Sequence, residues 1–266
     1  MLNATLYLRG MKRSVKLLIV LCAVTTMYVW IIISMFEPQM AKMLDGYVDL
    51  MPELMSSMGM VAGATTLIGF ICSYLYGFVL LVIPMLFCII EGNALVAKQV
   101  DDNSMTSLLA APLKRRTIIL TQLCVMISGI LIIDIYTTVL ELICANHYFP
   151  GELDAGELLL LNVGLLALHL FIGGVCFTAS CLFSEVKYSL AFGAGIPILM
   201  FVLKMLANMG GNAENVKYAT FFSLFQPNEI AAGDHGALVC VAVMFVGAIL
   251  LYGAGCTVFC KKDLHI

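Results

Sequence analysis

VDDNSMTSLLAAPLKRR, Val100 to Arg116, is the longest charged interruption in a chain that is otherwise apolar. Its order is acids, polar turn formers, a short apolar run, a proline and three cations. Asp101, Asp102, Asn103 and Ser104 are residue types that cap helix N-termini, so they predict a break followed by a new helix. Met105 to Ala111 makes about two helical turns carrying Leu108 and Leu109. Pro112 disfavours helix at Ala111, and Lys114, Arg115 and Arg116 mark a polar boundary before the next apolar run. A plain connection between helices needs none of Leu108, Leu109 or Pro112. The stretch therefore reads as a short amphipathic helix that offers apolar residues and acids to a groove on another protein.

What surrounds it is oil. Of 266 residues, 62% are hydrophobic and 12% charged, and the mean hydropathy is +1.02. Soluble domains carry about 25% charge, so the solvent for most of this surface has to be lipid. Runs of about 20 apolar residues cross a hydrocarbon core of roughly 30 Å. Six such runs are readable, at 17–36, 62–90, 117–144, 157–182, 188–208 and 237–259. The predicted fold class is thus an all-α polytopic membrane protein with one transmembrane domain over 1–266, its basic-flanked first run being an uncleaved span. Pro84 should kink the second span, because it lacks a backbone donor and crowds the preceding turn. The fourth and fifth spans are joined so closely that they predict a tight hairpin.

Charge gives the orientation. With both termini inside, the inner segments hold Arg9, Lys12, Arg13, Lys16, Lys98, Lys114, Arg115, Arg116, Lys187, Lys261 and Lys262. Only Lys42, Lys204 and Lys217 fall outside, as the positive-inside rule requires. Residues 1–16 mix these cations with Leu2, Leu6, Leu8 and Met11, a pattern that suits an amphipathic helix lying on the inner leaflet. At the opposite end, 209–236 contains Phe221, Phe222, Leu224 and Phe225, too apolar for a solvated loop and too few to span. Short interfacial helices would bury them, with Pro227 and Gly233 as breaks. The ten cysteines lie in or at the ends of apolar runs without metal-ligand spacing and read as small buried hydrophobes.

The chain carries no phosphate-binding GxxxxGK[ST] loop and no HExxH or GxSxG motif. No metal, cofactor or nucleic-acid partner is expected in it, and no enzymatic activity of its own. Two polar pairs do lie inside the spans. Asp134 and Glu141 are two helical turns apart on the third span, and Asn162 and His169 repeat that spacing on the fourth. In antiparallel neighbours, Asp134 and His169 sit at one depth and Glu141 and Asn162 at another, with Lys204 a rival partner for Glu141. A carboxylate in the bilayer is normally paired or faces a cavity. The pairs either line a substrate path or hold helices together by hydrogen bonds.

The loop from Asp102-Asn103-Ser104 through Leu108-Leu109-Ala110-Ala111-Pro112 to Arg115 resembles the first cytosolic loop of ABC-2 type transporter permeases. The ending Phe259-Cys260-Lys261-Lys262-Asp263-Leu264 is similar to the aromatic, basic, Asp-Leu ending common in that family. Many members have Gly-Thr or Gly-Ser where this chain has Asn103-Ser104. The resemblance implies the membrane subunit of an exporter in the plasma membrane, with ATP and magnesium held by a separate ABC ATPase subunit. It implies a pair of permeases, either two copies or two related chains. Residues 91–116 would form the coupling loop, with Asp101, Asp102, Asn103, Ser104, Leu108, Leu109 and Pro112 docking on the ATPase, and 1–16 the connecting helix. The cargo would be amphipathic or hydrophobic, a peptide, antimicrobial or drug-like compound. Two alternatives stand beside it: a lipid- or glycan-exporting permease of the same class, and an ion-coupled carrier without an ATPase.

Overall fold

A computed structural model describes residues 2–36, 50–60, 66–110 and 113–262, with the backbone alone for residues 107, 109, 110 and 211–214. Pro112, the loop cations and acids at 37–49 and the Asp263-Leu264 ending lie outside the described residues. Every regular element described is helical: α1 Ala4–Ser34, α2 Pro52–Ser57, α3 Leu67–Tyr74, α4 Leu80–Leu95, α5 Ala97–Asp101, α6 Ser104–Ala110, α7 Arg115–Tyr148, α8 Ala155–Leu182, α9 Val186–Gly193, α10 Gly195–Asn208, α11 Pro227–Ala231 and α12 His235–Lys261. Among them are six stretches long and apolar enough to cross a membrane, matching the six runs in the sequence to within a few residues except at α1 and the ends of the second span.

The first helix departs from expectation. The segment expected as a separate surface helix over 1–16 runs on into the first span: α1, Ala4–Ser34, is continuous for 31 residues, about 46 Å at 1.5 Å per residue. The reason is its footing on α7. Asn3 caps the helix by accepting from the Leu6 N–H and gives its own N–H to Thr121 Oγ1. Tyr7 donates to Ser128 Oγ at 3.0 Å. Gly10, the one residue that might break the helix, is a packing site: a Cβ there would lie 2.8 Å from Val125 Cγ2. The cations Arg9, Lys12, Arg13 and Lys16 remain exposed.

The second span is a composite. A π turn, Leu75–Val79, joins α3 to α4, with the Leu80 N–H reaching back to the Leu75 carbonyl. This irregularity stands about one turn ahead of Pro84, which continues inside α4. The turn is fastened to the segment after α2 by two glycines: a Cβ on Gly77 would meet the Met58 carbonyl at 2.6 Å. At the other end, Val96 leaves the helical region (φ −129, ψ −67), and the released Ala97 N–H is taken by Ser180 Oγ of α8 at 2.8 Å.

α8 sits at the centre, packed against α4, α7, α9, α11 and α12. Three residues, 183–185, link it to α9, so the hairpin is tight. The fifth span is broken at Ala194 into α9 and α10, with Pro197 in the first turn of α10 where its missing N–H costs nothing. Segment 209–236 forms two 3₁₀ helices, Gly211–Ala219 and Phe221–Leu224, and α11; Phe222, Phe225 and Ile230 are buried against protein, Phe221 and Leu224 are half-buried, and Tyr218 stays exposed. Phe222 meets Phe201 edge-on with centroids 5.5 Å apart. Ile230 rests on Gly164, where a Cβ would be 2.9 Å away. Pro227 opens α11 and Gly233, with φ 71, follows it, so both stand at breaks between helices as expected.

Candidate functional site

The basic end of the bundle carries the turn from which the sequence reading began. After α5, Asn103 turns the chain with φ 58, the one non-glycine residue described with positive φ. Asparagine tolerates this left-handed region better than other side-chain-bearing residues. Asp102 Oδ1 accepts from the Ser104 N–H at 3.0 Å, and Asn103's carbonyl takes the Thr106 hydroxyl at 2.7 Å. Ser104, and then the positive charges of Lys98 and Arg13, hold the Asp102 carboxyl below its usual value. Asp101, Asp102, Asn103, Ser104 and Thr106 are exposed, while Met105 is fully buried and pins α6 to the bundle. Leu108, expected on display, is half-buried against the core. Of Leu109 only the backbone is described, in α6.

Inside the bundle, both expected pairs meet. Asn162 Nδ2 donates to Glu141 Oε2 at 3.0 Å. His169 Nδ1 lies 3.4 Å from Asp134 Oδ1, close but not aligned as a hydrogen bond, so both Asp134 oxygens and both ring nitrogens lack a hydrogen-bond partner among the described residues. All four side chains are buried. The depth counting is therefore sound. Lys204 does not compete for Glu141; its ammonium donates to the Gly77 carbonyl of the π turn at 3.1 Å.

Three features were not legible in the sequence. Tyr76, in the π turn, donates to Glu141 Oε2 at 2.8 Å, so one carboxylate oxygen ties α3–α4, α7 and α8 together. Glu91 is almost wholly buried; it accepts from Ser14 Oγ at 2.7 Å and pairs with Arg13 at 3.4 Å. Each of these partners is more than 60 residues away in sequence, and no local spacing reveals such contacts. The third is a cavity of about 360 Å³ at the acidic end between α1, the π turn and the segment after α2, lined by Tyr28, Met35, Met58, Phe70 and Phe78 among others.

Among the described residues no group of three or more His, Cys, Asp or Glu side chains is placed to hold a metal ion. No protein-family model matches the chain, and no curated protein matches it.

Proposed function

We propose that this chain is the permease subunit of an ATP-driven ABC-2 type exporter, carrying an amphipathic or hydrophobic compound across the membrane with a separate ATPase subunit. The observation that carries the reading is the exposed acidic turn at Asp101–Ser104, shaped by left-handed Asn103 and the Ser104 N–H bond to Asp102, and anchored on the bundle by buried Met105. A brace of this kind, between the second and third spans, can pass a push from a docked ATPase into two long helices at once. Both termini and this turn then face the cytosol, in keeping with the cations gathered at that end. Magnesium and ATP belong to the partner. The methionine- and aromatic-lined cavity supports an apolar cargo, since such side chains adapt to varied apolar shapes.

The experiment is purification of the full chain from its native membrane in mild detergent. A stoichiometric ATPase should accompany it. Asn103→Val, which strains the left-handed turn by about 1–2 kcal/mol, should still insert and pack but lose the ATPase or its coupling to transport. Isolation of a transport-competent chain with no ATPase would refute the reading. It would favour the second, an ion-coupled carrier, for which the buried Asp134–His169 pair is the supporting feature.

A further inference from the structure

We infer that the basic end holds a binding cleft for the phosphate headgroup of an anionic phospholipid, built between α1, α4–α5, α6 and α7. The cleft encloses about 630 Å³ and is lined by Arg9, Arg13 and Lys98 against a single acid, Asp102. Neither Arg9 nor Lys98 has an ion-pair partner among the described residues. Arg13 is different: it is tethered from behind by buried Glu91, which Ser14 also holds, so one cation is fixed in place while part of its guanidinium stays exposed. The floor is polar as well. Gln122 donates to Gln99 at 3.2 Å, and its buried carbonyl oxygen has no partner.

Charge complementarity selects the occupant. The lining holds three cations and one carboxylate, and with Glu91 paired to Arg13 from behind, the local excess is one positive charge, which matches the single negative charge of a phosphodiester. Leu6, Gly10, Ala94 and Leu108 supply an apolar wall beside the cations. A free phosphate has no use for that wall, whereas a phospholipid brings glycerol and acyl chain to it. The cleft lies at the basic end of the apolar runs, and basic pockets between helices on the cytoplasmic side take anionic headgroups. Because Asp102, Ser104 and Leu108 of the braced turn form one side, an occupied cleft would stiffen that turn.

The test uses the full chain in a neutral detergent, with phosphatidylglycerol, phosphatidylcholine or inorganic phosphate added, reading retained lipid by native mass spectrometry and melting temperature in parallel. Phosphatidylglycerol should bind saturably and raise the melting temperature; phosphatidylcholine and inorganic phosphate should not. The double variant Arg9→Gln with Lys98→Gln should lower phosphatidylglycerol affinity about thirtyfold, the effect of removing two cations near an anionic surface. Lys12→Gln, on the same helix but not in the cleft, should change it little. Equal loss in Lys12→Gln would overturn the proposal in favour of diffuse surface charge. Equal binding of inorganic phosphate would overturn it in favour of a soluble anion. Unchanged lipid affinity in the double variant, with the ATPase complex lost instead, would mean that the cleft is a protein-docking surface.

Discussion

Replacing Tyr76 with phenylalanine removes one hydroxyl from the interior and leaves the ring, with its stacking toward Phe225, in place. That hydroxyl is one of two donors to Glu141 Oε2; Asn162 is the other. Tyr76 and Glu141 are both fully buried, so water does not replace the lost donor. Interhelical hydrogen bonds in membrane proteins average about 0.6 kcal/mol and reach about 1.7, while bonds to charged groups are worth about 1.5–3. One donor remains on the carboxylate, so the expected loss is about 1–2 kcal/mol. The assay is reversible unfolding in mixed micelles, with Glu141→Leu, which removes the acceptor, and the double variant Tyr76→Phe, Glu141→Leu closing the cycle. If the bond is the cause, the coupling should be about 1 kcal/mol. A loss below about 0.5 kcal/mol, or strict additivity of the two changes, would refute the claim that this carboxylate joins three helices.

The same logic separates the roles left open for the neighbouring pair. His169→Ala should lower stability by about 1–3 kcal/mol by removing the fully buried ring that lies 3.4 Å from buried Asp134, while the protein that remains folded still transports. Transport lost at normal stability would instead make the pair part of a path. Orientation has its own check: single cysteines at the exposed positions Glu185 and Glu152, in a background lacking the native cysteines, should react oppositely with an impermeant reagent in right-side-out vesicles. Labelling at 152 and not 185 fits the basic end facing the cytosol; the reverse pattern would invert the topology.

The number of membrane-crossing helices and their approximate limits were determined by sequence alone. Hydropathy over about 20 residues is a local property, and lipid imposes the same length on each span. The short helix after Asp101–Ser104 was likewise legible from its caps, and the depth match of Asp134 with His169 from helical spacing. Three features were decided only by tertiary structure. Residues 1–16 look amphipathic in isolation, but α7 offers Thr121, Ser128 and Val125 to Asn3, Tyr7 and Gly10, and that footing keeps α1 continuous. The π turn has no sequence mark of its own; it stands where Gly77 meets the Met58 carbonyl and Tyr76 reaches Glu141. Glu91 reads as the polar end of a span until folding brings Ser14 and Arg13 to it. In each case the deciding partner lies on another helix, and a buried polar group's need for a partner says nothing about which distant residue will meet it.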